Sequence, residues 1–127
     1  MPAPRLKFLP RQRLAHDRQY QAVYKGKVHR TRAGLGMTGA PNGLEFTRLG
    51  LSIGKRVGGA VARNRTKRLI REAFRLSQRD FPAGPSAGLD LVVSVRTTTE
   101  LDFKTCREAM LIMAASIARE WQRRAES

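Results

Sequence analysis

Leu49-Gly50-Leu51-Ser52-Ile53-Gly54-Lys55-Arg56-Val57-Gly58-Gly59-Ala60-Val61-Ala62-Arg63-Asn64-Arg65-Thr66-Lys67-Arg68-Leu69-Ile70-Arg71-Glu72-Ala73-Phe74-Arg75 reads as a strand, a glycine-rich loop and a helix. Leu49, Leu51 and Ile53 alternate with small residues and share one strand face, within a strand expected over 46–53. Gly54 to Gly59 form the loop, and a helix is expected from Ala60 to about Arg79. At 100° per residue, Thr66, Leu69, Ile70, Ala73, Phe74, Leu76 and Ser77 fall in one arc, the face expected to pack. Arg63, Lys67, Arg71 and Arg75 form an i, i+4 row on the other side, with Asn64 and Arg68 beside it. Glu72 is the helix's one acid, placed to relieve Arg68 and Arg65. Like charges at this spacing repel by a few tenths of a kcal/mol per pair, a cost that a polyanion would reverse. Successive members lie about 6 Å apart along the axis, comparable to phosphates on an extended strand.

Working outward, the elements on either side complete an α+β fold. Tyr20, Val23 and Tyr24 recur at helical spacing, so a first helix is expected from His16 to Lys25, closed by Gly26. Ala33, Leu35 and Met37 alternate as a strand, weakened by Gly34 and Gly36, and Pro41-Asn42-Gly43 is a turn leading back into the 46–53 strand as a hairpin. After a loop rich in Pro and Gly, Leu89 to Val95 reads as a buried strand. Asp102 is a suitable N-cap for a last helix, Phe103 to about Arg124, whose apolar face carries Phe103, Cys106, Met110, Ala114, Ile117 and Trp121. The order is α-β-β-α-β-α, a two-layer sandwich in a single domain over 14–124. Residues 1–13, with Arg5, Lys7, Arg11, Arg13 and three prolines, read as a flexible basic arm, in preference to a mitochondrial presequence, and 125–127 as a tail.

Charge narrows the function. The 127 residues carry 25 Lys and Arg against 10 Asp and Glu, a net of +15. Through Arg79 there are 19 bases and three acids (Asp17, Glu45, Glu72); from Asp80 onward, six bases and seven acids. The whole excess lies in the segment that contains the basic helix, so the expected partner is a nucleic acid. The basic helix lacks the large apolar face of a membrane-surface binder, and no apolar run approaches the ~20 residues of a span. Gly58-Gly59 opens the helix, so its backbone N–H groups can cradle a phosphate with Lys55, Arg56 and Arg63 around them. Tyr20 and Tyr24, one turn apart, are candidates for stacking on unpaired bases or for the core, with Met37 extending the same platform.

Catalytic groupings are missing. His16 and His29 have no acid or cysteine at metal-ligand spacing, and Ser52 has no evident base. Cys106 falls on an apolar helix face and reads as an inert core residue; a lone cysteine fits a reducing, cytoplasmic setting.

The quoted stretch closely resembles the signature of the bacterial ribonuclease P protein subunit: Arg63-Asn64-Arg65, then Lys67-Arg68 and Arg71-Glu72, downstream of Ser52-Ile53-Gly54-Lys55. The likeness runs from about Arg13 to Trp121. It implies a left-handed βαβ crossover, against the usual hand, and a fold resembling a ribosomal-protein domain. It implies a catalytic RNA as partner, one protein per RNA, which removes the 5′ leader of precursor transfer RNA with magnesium; the protein supplies no catalytic group and holds no cofactor. Arg63, Asn64, Arg65, Lys67, Arg68 and Arg71 would face that RNA, with Lys55, Arg56 and Arg75 adding charge. Tyr20, Tyr24, Arg32, Met37 and Arg96 would hold the single-stranded leader. The alternatives are a structural RNA-binding protein, a self-sufficient nuclease, and a helix-turn-helix DNA reader. The nuclease lacks a carboxylate or histidine cluster, and the DNA reader lacks a second helix packed just before the basic one.

Overall fold

A computed structural model of the chain describes residues 7–96 and 101–126. Helix α1 spans Asp17–Lys25, strands β1 His29–Arg32, β2 Leu35–Pro41 and β3 Arg48–Ser52, helix α2 Ala60–Ser77, strand β4 Leu89–Val95 and helix α3 Phe103–Ala125. The four strands lie in the order β1-β2-β4-β3. β1–β2 and β2–β4 are antiparallel, and β3–β4 is parallel with α2 as its crossover.

The mixed α+β class is as read from the sequence, with two corrections in the sheet. β1 was not anticipated, because His29-Arg30-Thr31-Arg32 has no apolar residue; it is an edge strand. Ala33-Gly34 does not begin a strand. Both residues have positive φ, 53° and 80°, the geometry of a two-residue hairpin turn joining β1 to β2. The expected hairpin between β2 and β3 does not form, because β4 lies between them. Pro41-Asn42-Gly43 does turn the chain, and Asn42 ties the turn down: its amide donates to Phe46 O and Asp90 Oδ1, and its Oδ1 accepts from Leu44 N.

One sheet face is buried under α2 and α3. Leu35, Met37, Leu49, Leu91 and Val93 pack there against Ile70, Phe74, Met110, Met113 and Ile117. Met37 is fully buried in this core and lines no open platform, which corrects that expectation. Leu76, expected to pack, is 44% exposed, since it lies at the edge of the α2 arc. Asp102 caps α3 by accepting from Thr105 N at 2.7 Å, and this hydrogen bond holds its carboxyl below the ordinary value. Gly26 is needed for space: a Cβ there would lie 2.4 Å from the Trp121 ring.

On the other face α1 packs through Val23 and Tyr20, with Leu14, against Val92. Gln19 caps α1 by accepting from Ala15 N and His16 N. Residues 7–13 are packed on the domain and do not project as an arm. The Phe8 ring packs at a tilt against Phe74, centroids 5.3 Å apart, Gln12 is buried and donates to Gln78, and Gln78 donates to Lys7 O. Arg13 bridges to Leu49 and Leu14 N donates to Leu49 O, so this strap covers the β3 edge. The first six residues of the expected arm and Ser127 lie outside the described residues.

Candidate nucleic-acid interface

Helix α2 presents its basic side because Ile70, Ala73, Phe74 and Ser77 claim the opposite side for the core. Asn64, Arg65, Arg68 and Arg71 are exposed, and Lys67 is half-buried. Among the described residues, Arg65, Lys67, Arg68 and Arg71 have no acidic partner. Glu72 turns to Arg75, not to Arg68 or Arg65: Arg75 Nε donates to Glu72 Oε2 at 3.0 Å and Nη2 donates to Oε1. The Arg75 hydrogen bond holds the Glu72 carboxyl below its ordinary value, against the opposing effect of burial. Arg75 is therefore the one member of the row whose charge is neutralised locally. Arg63 sits at the edge of the packing arc, half-buried, with its Nε buried and unpartnered.

The approach to α2 is open. Lys55 and Arg56 lie exposed in a 3₁₀ turn just before the helix, and Gly58 takes φ 129°, a conformation that favours glycine. Gly59 precedes the first turn without a side-chain cap, and a Cβ there would meet nothing within 4 Å.

Two hollows flank the row. The larger, about 470 Å³, is lined by Phe8, Arg13, Asn64, Arg68, Arg71, Glu72 and Arg75. The smaller, about 120 Å³, lies between α2 and β3, with Lys67 and Arg71 on one side and Tyr20 and Gly50 on the other. Both are walled by Phe8 and Arg13, whose guanidinium carbon stands 4.6 Å from the Phe8 ring centroid. These two residues were not singled out from sequence, since nothing local to an arginine-rich segment shows what it packs against. Through Arg71 and the strap, the α2 row is continuous with Tyr20.

The two tyrosines separate in role. The Tyr20 hydroxyl accepts from Leu51 N at 3.2 Å and donates to Leu51 O, so this ring is committed to holding α1 on β3 while its flank lines the small hollow. Tyr24 is 39% exposed and free to meet a ligand. Arg96 is exposed and follows Ser94 on the α1 side of the sheet by alternation. Arg32 is also exposed, but its register partner is Leu35, so it belongs to the α2/α3 side. Neighbouring His29 and Thr31 take the α1 side in its place. Among the described residues no three His, Cys, Asp or Glu side chains cluster in a way that could hold a metal ion. Cys106 is buried, and burial pushes its thiol up to about 11.

This geometry defines a class: a small α+β domain whose crossover helix carries an acid-poor cationic face, continuous with an aromatic-bearing side of the sheet. A family profile described as Ribonuclease P matches residues 8–117. The ribonuclease P protein component of Syntrophus aciditrophicus is 32% identical over 102 residues, covering 80% of this chain and 84% of that protein. That of Finegoldia magna is 39% identical over 101 residues, covering 78% and 84%. Among solved structures, the RNase P protein from Thermotoga maritima aligns with a TM-score of 0.71 at 28% identity, covering 82% of this chain and 96% of that one. The chain belongs to the ribonuclease P protein family.

Proposed function

We propose that this chain is the protein subunit of a ribonuclease P ribonucleoprotein, one protein per catalytic RNA, aiding removal of the 5′ leader from precursor transfer RNA. The observation that carries this reading is the α2 face, where Arg65, Lys67, Arg68 and Arg71 have no acidic partner among the described residues and Arg13 adds a fifth cation from the strap. A row of like charges in an 18-residue helix is stabilised by phosphates and by little else in water. The catalytic RNA docks there, with Arg63, Asn64, Lys55, Arg56 and Arg75 at the margins. The leader runs along the α1 side of the sheet, past Tyr24 and Arg96 and the flank of Tyr20.

Hydrolysis belongs to the RNA and its magnesium. The protein's side chains neutralise phosphates that would otherwise repel substrate from RNA, and they orient the unpaired strand. No helix of the described residues is long and apolar enough to cross a membrane.

The test is leader cleavage of a precursor transfer RNA by a bacterial ribonuclease P RNA at low magnesium, with and without this protein. Strong stimulation by the protein, with no cleavage by the protein alone, is expected. Tight RNA binding without stimulation refutes the processing role and leaves a structural RNA-binding protein.

A further inference from the structure

The strand registers place small residues in line on the α1 side of the sheet. Thr31, Gly36, Ser94 and Ser52 are successive partners across all four strands, a row with no side chain larger than threonine. The adjacent row, His29, Thr38, Val92 and Gly50, is covered at its Gly50 and Val92 end by Tyr20, Leu14 and Val23 of the α1 segment. The small-residue row is a shallow polar trough beside that cover, with Thr31 and Ser52 exposed at its ends, Ser94 half-buried and Gly36 buried on its floor.

His29 leans into this trough. Its Nδ1 is 2.7 Å from Thr38 Oγ1, which fixes the ring. A Cβ on Gly36 would lie 3.0 Å from His29 Cε1, 3.3 Å from Nε2 and 2.7 Å from Ser94 Oγ. The ring therefore occupies the place that any side chain at position 36 would take, and it stays exposed. Partial burial first, then Arg96 and Arg30, hold the imidazole below its ordinary pKa, which favours the uncharged ring. Arg96, close enough to act on it, supplies the cation that a neighbouring phosphate requires.

We infer that His29 is a base-stacking residue of this trough, against which one unpaired nucleobase of a single-stranded RNA packs while Ser94 and Thr31 offer hydroxyls to its edge. The inference rests on the proposed leader-binding role and adds to it a residue on the edge strand. It explains why a glycine stands at 36: the ring needs the room. The pre-set ring, already ordered by Thr38, loses little freedom on binding.

The experiment compares the affinity of the reconstituted ribonucleoprotein for a precursor transfer RNA and for the same RNA with a mature 5′ end. One stacked base contributes about 1–3 kcal/mol, so His29→Ala should reduce affinity for the leader-bearing RNA by roughly 5- to 160-fold. Affinity for the mature RNA should be unchanged, and His29→Phe should restore most of the loss. Unchanged leader preference in His29→Ala overturns the inference. So does an equal loss for both RNAs, or a loss that phenylalanine does not rescue, since each assigns the effect to the fold. If the unsubstituted protein shows no leader preference, the proposed leader-binding role fails as well.

Discussion

Replacing Arg71 with alanine removes the one α2 residue that lines both hollows. Arg71 is exposed and has no acidic partner among the described residues, so its loss leaves no buried charge behind and breaks no ion pair. The cost should fall on RNA binding and leave stability within about 0.5 kcal/mol. A hydrogen bond to a charged group contributes about 1.5–3 kcal/mol, and exposure argues for the low end, so Kd for a bacterial ribonuclease P RNA should rise roughly tenfold at low salt. One lost phosphate contact also lowers the salt slope by about 0.7–0.9. Over a fourfold rise in salt this is about a threefold change, so a tenfold deficit near 50 mM should shrink to about threefold near 200 mM. Filter binding at several salt concentrations reads both quantities. Arg119→Ala is the control, because Arg119 is an exposed arginine on α3 with no acidic partner among the described residues, away from the hollows. Equal losses for Arg71→Ala and Arg119→Ala, or an unchanged slope for Arg71→Ala, would refute the argument that the α2 row is the docking face.

Glu72→Gln should tighten RNA binding a few-fold at low salt, because it removes the carboxylate that repels phosphates and offsets the Arg75 charge; weaker binding would show that the pair organises the site. Gly88→Ala would place a Cβ 2.2 Å from Phe46 O and 2.8 Å from Asn42 Oδ1, so backbone must move. A loss of about 2 kcal/mol or more is expected in urea unfolding, and an unchanged midpoint would contradict the packing at this turn. Cys106, buried and with its thiol pushed up to about 11, should not react with a maleimide at pH 8 in the native protein and should react once unfolded. Ala33 holds φ 53° in a tight turn, so Ala33→Asn should raise stability by about 0.5–1 kcal/mol in the same unfolding assay.

Helical periodicity survives any tertiary context, and the three helices were legible from it to within a few residues. The buried strand β4 was equally plain, because Leu89 to Val95 is almost wholly apolar or β-branched. The cationic face of α2 follows from the same arithmetic, since residues four apart share a side whatever they pack against. Its pairing did not follow: Glu72 had candidate partners on both sides, and rotamers at Arg75 decided between them. β1 left no trace because an edge strand with polar residues on both faces has no period to detect. The family resemblance put Arg32 and Met37 at the leader surface, and register then sent both to the α2/α3 side.

What the chain determines by itself is therefore local: where helices begin and end, which side of α2 is cationic, and that the charge excess sits in the first five-eighths. The tertiary structure decided everything that depends on strand order. Inserting β4 between β2 and β3 is a choice among pairings of similar local energy, made by the total burial under α2 and α3. That choice aligned Thr31, Gly36, Ser94 and Ser52 into one trough and laid His29 across it. It also brought Phe8 and Arg13 against a helix some fifty residues further along the chain. Contacts of that separation are written in no local pattern, because they exist only once the loops between them have closed.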